Sequence, residues 1–157
     1  MIITILIFGI VIFDQITKIL ANTYLNGGGS LTVIPSFLSL HYHENKGAAW
    51  GMLADHRWVF MTVSTLAILA IIAYLIYTAK HPISPLFRIA LAFFAGGGIG
   101  NMIDRVLLGY VIDFLQFDFI DFPIFNIADS FITIGACLMI LYLILDTISE
   151  IRRKRNG

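Results

Sequence analysis

Long apolar runs alternate with short polar connections along the chain, and the polar residues inside the runs gather near one end of each. A helix needs about 20 residues to cross a hydrocarbon core of about 30 Å. Four stretches meet or approach that length: residues 2–21, 58–79, 86–108 and 126–145. The second holds no charged residue. The first carries Asp14 and Lys18, the third Arg88, Asp104 and Arg105, and the fourth opens on Asn126 and Asp129. Between the first two runs, SFLSLHYHE sets Leu38, Leu40 and Tyr42 at alternate positions, a period of two that predicts a short strand. NGGGS at 26–30 reads as a turn. The expected architecture is an all-α polytopic membrane protein: four transmembrane helices with a small extracytoplasmic β/loop element, as one membrane-embedded domain over residues 1–157.

Lys and Arg in short loops set the orientation of such a chain. Lys80 and Arg88 flank the connection between the second and third runs, and Arg152, Arg153, Lys154 and Arg155 follow the fourth. The connections 22–57 and 109–125 hold only Lys46 and Arg57. Both chain ends are therefore expected on the cytoplasmic side, with Trp50, Trp58, Tyr24 and Tyr110 near the outer interface, where amphipathic rings settle. The first run lacks the basic flank and small-residue cleavage site of a signal peptide and reads as a retained span.

Composition agrees with the pattern. The chain is 59% hydrophobic and 13% charged, against about 45–50% and about 25% in soluble domains, and its mean hydropathy is +0.89. A formal net charge of zero offers no basic face to nucleic acid. The single cysteine, Cys137, lies in an apolar run with no disulfide partner in the chain and no zinc-ligand spacing. It reads as a small apolar residue.

The polar groups share a level. At 1.5 Å per residue, most of Asp14, Lys18, Asn101, Asp104, Arg105, Asp113, Asn126 and Asp129 fall within about 10 Å of the outer helix ends. Charge at membrane depth is costly and by default marks a functional site. Structural readings stand beside that one. Asp14 and Lys18 are spaced for an i,i+4 ion pair. Asp104 and Arg105 are adjacent, so they face different partners, and Asp129 or Ser130 could cap the fourth helix.

Elimination narrows the chemistry. HENKG lacks the second histidine of H-E-x-x-H, and His41 and His43 read as solvated or interface residues ahead of metal ligands. Ser64, Ser130 and Cys137 have no histidine base in their spans, as nucleophilic catalysis requires. GGGIGN is followed by no Lys-Ser or Lys-Thr. Ala92, Gly96 and Gly100 form a small-xxx-small stripe suited to close helix packing, and Asn101 stands where a presenilin-type G-x-G-D element has its acid. Carboxylates remain. Two aspartates sharing one proton can activate water against an amide, with repulsion and burial keeping one of them neutral. The candidates are Asp104, Asp113, Asp118, Asp121 and Asp129. Asp118 and Asp121 fall in LQFDFIDFP, read as a hydrated loop, whereas Asp113 and Asp129 can meet at the outer face.

Five blocks then occur in order over nearly the whole chain: FDQITK, NKGAAWG, GNMIDR, VIDF and FPIFNIADS. Together they resemble the lipoprotein signal peptidases, the signal peptidase II family of bacterial aspartyl membrane proteases. The resemblance implies Asp113 and Asp129 as the catalytic pair, with Asp14, Lys18, Asn45, Gly47, Asn101, Arg105 and Asn126 near the site. It implies a prolipoprotein substrate bearing a diacylglyceryl-modified cysteine, cut just before that cysteine at the outer leaflet of the cytoplasmic membrane. No cofactor or metal, no nucleic acid partner and a monomer are expected, and NKGAAWGML would form a lid or cradle. A small proton- or ion-coupled transporter using the same acids is the alternative; it requires polar residues through the full membrane depth, and the inner halves here are almost wholly apolar. A subunit whose polar layer merely holds helices together is a third reading.

Overall fold

The computed structural model describes residues 1–47 and 57–156. Four helices carry the fold: α1 (Ile2–Leu25), α2 (Arg57–Tyr77), α3 (Pro85–Leu107) and α4 (Ile127–Asn156), with a 3₁₀ turn at Thr78–Lys80 after α2. Each is long and apolar enough to cross a membrane. A three-stranded antiparallel sheet in the order β1 (Ser30–Ile34), β2 (Leu38–Asn45), β3 (Val111–Phe117) sits at the end where α1 and α3 finish and α4 begins. The protein is thus a multi-pass membrane protein with a small β element.

The helix at the centre is α3. Ala90, Ala92, Ala95, Gly96, Gly97 and Gly100 are buried along it, and α1, α2 and α4 all pack against it. The other helices turn large apolar side chains outward, among them Ile5, Ile12, Val63, Leu66, Leu143 and Ile144. In water such a surface would be unstable; in lipid it is the solvated surface, because backbone groups along the span are paired within the helix.

Glycine sets how close the helices come. A Cβ on Gly100 would lie 2.5 Å from Asp14 Oδ2, and one on Gly97 would lie 2.5 Å from the Ala128 carbonyl oxygen. The expected stripe Ala92, Gly96, Gly100 is therefore a packing surface for α1, while Gly97, one position round the helix, seats α4. Without these glycines the Asp14 carboxylate could not lie against α3.

The element boundaries shift modestly from expectation. Pro85 opens α3 at its first turn, where a missing N–H costs nothing. The α1 helix continues to Leu25, and α4 runs on through the basic segment to Asn156, where cations favour a helix C-terminus. Two strands were not anticipated. VIDFLQF forms β3 rather than part of a hydrated loop, because its backbone pairs with β2; Asp118 and Asp121 beyond it are exposed. Leu40 and Tyr42 pack, as their spacing suggests, on the cluster of Ala21, Leu25, Ile112 and Phe114 at the end of α1. Tyr24 and Trp58 are exposed on their helices, whereas Tyr110 is partly buried under the sheet. Trp50 and most of the suggested lid, NKGAAWGML, lie outside the described residues.

Candidate active site

The turn from α3 into β3 places the first carboxylate. Gly109 takes φ +85, a left-handed conformation that glycine adopts without steric cost. Asp104 Oδ2 then accepts from the Ile112 backbone N–H at 3.0 Å. The next residue along β3 is Asp113, 1% exposed.

Its partner on β2 depends on a bulge. Leu40 pairs with Leu115, but His43 pairs with Asp113, so β2 carries one more residue than β3 across this interval. A one-residue slip exchanges the two faces of a strand, and a bulge is a way to re-aim side chains. Without the extra residue, Asn45 would point to the face opposite Asp113. With it, Asn45 Nδ2 donates to Asp113 Oδ2 at 2.9 Å. Asn45 Oδ1 in turn accepts from Gly47 N at 3.2 Å, which fixes the orientation of the amide.

The second carboxylate arrives with α4. Phe125 bonds back to β3 through its own N–H and carbonyl, which delivers Asn126 beside Asp113. Asn126 is the N-cap of α4: its Oδ1 accepts from Asp129 N at 2.9 Å, and Asp129 Oδ2 accepts from Asn126 N at 3.2 Å. This is a reciprocal capping box. The cap is thus Asn126, with Asp129 as the return partner. Ser130 does not cap; its hydroxyl donates to the Asn126 carbonyl at 3.0 Å within the helix, since it lies one turn too far along.

One amide ties the aspartates together. Asn126 Nδ2 donates to Asp113 Oδ1 at 2.6 Å and to Asn101 Oδ1 at 3.0 Å, while the other side of the same amide holds Asp129 N. Asp129 Oδ1 accepts from Asn101 Nδ2 at 2.7 Å. Behind Asn101 stands Lys18, 1% exposed, whose Nζ reaches Asn101 Oδ1 at 2.9 Å, Asp14 at 2.9 Å and Asp104 at 3.0 Å. Lysine can only donate. It therefore holds the Asn101 oxygen toward itself and turns the NH₂ toward Asp129. The i,i+4 pair of Asp14 and Lys18 is present, and it is one arm of a buried network that includes Asp104.

Burial separates the two aspartates. Asp113 is enclosed and Asp129 is half-buried. Loss of solvent pushes the Asp113 carboxyl up to about 7; the Asn45 hydrogen bond opposes that rise and the nearby Asp129 charge adds to it. A carboxyl that keeps its proton near neutrality beside a more accessible carboxylate is the asymmetry that acid–base work on an amide needs.

Arg105 is less involved than expected. Its Nη1 donates to the Asn101 carbonyl at 3.4 Å, and that is its one hydrogen bond among the described residues. Gln15 is the member of the network that the sequence did not single out, and Asp104, a candidate there, joins it although the resemblance did not imply it. Gln15 Nε2 donates to Asp104 Oδ1 at 3.0 Å and to the Gly100 carbonyl at 3.1 Å. A polar residue beside Asp14 in an apolar run was the available signal for Gln15. His41 shares a hydrogen bond with Ser39, whose hydroxyl donates to Asp118, and His43 is exposed. No group of three His, Cys, Asp or Glu suited to a metal occurs among the described residues.

Four membrane-crossing helices hold two aspartates among fixed amides at one end of the bundle, a polar site in the framework of a multi-pass membrane protein. Comparison with known proteins specifies it. Residues 6–145 match the family described as Signal peptidase (SPase) II. A lipoprotein signal peptidase of Symbiobacterium thermophilum is 45% identical over 139 residues, covering 86% of this chain and 89% of its own. One from Staphylococcus aureus is 42% identical over 140 residues, covering 88% and 85%. Two solved structures, each described as a bacterial membrane enzyme, superpose with TM-scores of 0.84 and 0.76 at 39% and 40% identity. The first match covers 92% of this chain and 88% of the other; the second covers 90% and 91%. The chain belongs to the signal peptidase II family, and it is a protease. Nothing in these matches supports the transporter alternative.

Proposed function

We propose that the chain is an aspartic endopeptidase that removes the signal peptide from diacylglyceryl-modified prolipoproteins, cutting just before the lipidated cysteine. The observation that carries this reading is the convergence of Asp113 and Asp129 on Asn126, with Asp113 enclosed and Asp129 reachable. Below about pH 7, Asp113 holds a proton and donates it to the scissile carbonyl oxygen. Asp129, ionised and held by Asn101 Nδ2 and the Asn126 backbone N–H, takes a proton from a water that attacks the carbonyl carbon. Asp129 then passes that proton to the leaving amine, and collapse of the tetrahedral intermediate returns the other proton to Asp113. Fixed donors around the pair keep its geometry from relaxing during the charge shift.

Location supports the same substrate. The polar network occupies one end of the spans, so a peptide bond beside a lipid-anchored cysteine can reach it from one leaflet. By the distribution of Lys and Arg, that is the outer leaflet of the cytoplasmic membrane, with both chain ends on the cytoplasmic side. The whole chain works as one unit, as a monomer, without a metal or other cofactor.

The test uses the full chain in detergent with a diacylglyceryl-modified prolipoprotein, reading release of the signal peptide on a gel. Asp113→Asn and Asp129→Asn should each abolish release while circular dichroism shows a folded protein. Full cleavage by either variant would sink the assignment. Activity should persist after chelation of metals; a loss restored by added metal would instead implicate His41 and His43.

A further inference from the structure

α1 and α2 each pack on α3 and leave a groove of about 650 Å³ between them. Along α1 it runs from Met1 to Val11, about 15 Å at 1.5 Å per residue. Along α3 it runs further, from Arg88 to Ile103, about 22 Å at 1.5 Å per residue, past the middle of a hydrocarbon core of about 30 Å. Ile7 and Phe8 of α1, Ile72 and Ile76 of α2, and Ile99 and Ile103 of α3 line it. Arg88, beside the 78–85 connection, is the one charged side chain among the described lining residues.

Arg88 is incompletely paired. Its Nη2 donates to the Thr78 and His81 carbonyls at 3.0 and 3.1 Å, closing the end of the 3₁₀ turn. Its Nε is buried and has no partner among the described residues. An unmet buried donor is costly, so an acceptor delivered there is favoured. At the same level Ser84 caps α3 without a side-chain hydrogen bond, which leaves the positive end of the helix dipole uncompensated. Lys80 is exposed in the same connection.

We propose that this groove binds one anionic phospholipid, with its phosphate at Arg88 and an acyl chain lying between α1 and α2. Under the orientation given above the lipid comes from the cytoplasmic leaflet, and the naming of that leaflet is the one part that rests on the proposed function. Basic pockets between helices on that side suit anionic headgroups. Charge argues against the other apolar occupant, the hydrophobic helix of a signal peptide. Such a peptide carries its basic residues at its cytoplasmic end, where Arg88 and Lys80 would repel them.

Native mass spectrometry of the full chain in detergent tests this, with phosphatidylglycerol and phosphatidylcholine of identical acyl chains as probes. Wild-type protein should retain phosphatidylglycerol about tenfold more strongly, a difference of about 1.4 kcal/mol. Arg88→Gln should erase the preference. Ile76→Trp, which fills the groove and leaves Arg88 in place, should lose both lipids and stays informative if Arg88→Gln fails to fold. Equal retention of the two lipids by wild type, a preference that survives in folded Arg88→Gln, or unchanged binding by Ile76→Trp overturns the proposal. So does displacement of phosphatidylglycerol by a synthetic signal peptide with a basic N-terminus. The readout needs no turnover, so lipid retention is measured in the same way whether or not Asp113 and Asp129 are the catalytic pair.

Discussion

Asp14, on α1, accepts the backbone N–H of Ala128, in the first turn of α4, at 2.9 Å. One helix thus caps another. The same carboxylate binds Lys18, which also binds Asp104, so two acids face one base in a dry interior. Asp14 Oδ1 lies at the N-terminus of α4, where the helix dipole favours an acidic side chain. Asp129 is the residue after Ala128, so the contact that secures the helix end also fixes the reach of Asp129.

Asp14→Ala should therefore harm both stability and activity. It leaves Ala128 N unpaired and removes one partner of a buried charge, a change that costs about 3–5 kcal/mol. Asp14→Asn keeps an acceptor for Ala128 and should be milder. Thermal unfolding in detergent should rank wild type above Asp14→Asn, and Asp14→Asn above Asp14→Ala. Equal midpoints for the two variants would remove the capping contact from the account.

The glycines of α3 should divide by what they face. Gly100→Ala and Gly97→Ala push a methyl against Asp14 Oδ2 and the Ala128 carbonyl, neither of which can move freely. Overpacking of this kind costs about 1–3 kcal/mol. Gly98→Ala meets only the flexible end of Ile68, and Gly9→Ala meets nothing within 4 Å. These two should unfold at or slightly above the wild-type temperature, and all four can be compared in one melting series.

Lys18 acts through Asn101. In Lys18→Met the Asn101 oxygen keeps only the Asn126 Nδ2 donor, so the amide is held less firmly in the orientation that presents its NH₂ to Asp129. Misplacement of about 1 Å at a reacting centre can cost on the order of 100-fold in rate. A fall in kcat of that order with KM little changed is expected, whereas a purely structural lysine would lower the melting temperature and leave kcat per folded molecule intact.

The pH profile should report Asp113. Its carboxyl is raised from 3.8 to about 7 by burial, and the proposed mechanism uses its protonated form, so activity should fall as pH rises through about 7. The Asn45 hydrogen bond favours the ionised form. Asn45→Ala should therefore move that alkaline limb to higher pH, which a rate-versus-pH series on wild type and variant will show. Stability has a matching sign. Between about 4 and about 7 the folded chain holds this proton more tightly than the unfolded chain does. The contribution of Asp113 is then fully present at acid pH and is lost as pH rises through about 7. A proton-linked melting temperature that rose across this window would contradict the enclosure of Asp113.

Apolar run length and the placement of charge were enough to establish that the chain crosses the membrane four times and carries a polar layer near one end of its spans. Hydrophobic transfer acts residue by residue, so that information is local and additive. The same sequence paired Asp14 with Lys18, because an i,i+4 spacing is a property of one helix. It could not show that Lys18 also serves Asn101, that Asp14 caps α4, or that a bulge in β2 turns Asn45 onto Asp113. Those are contacts between elements far apart in the chain, set by glycine-to-helix approach and by strand register. Only the assembled tertiary structure decides them, and with them which aspartate is enclosed and which can be reached.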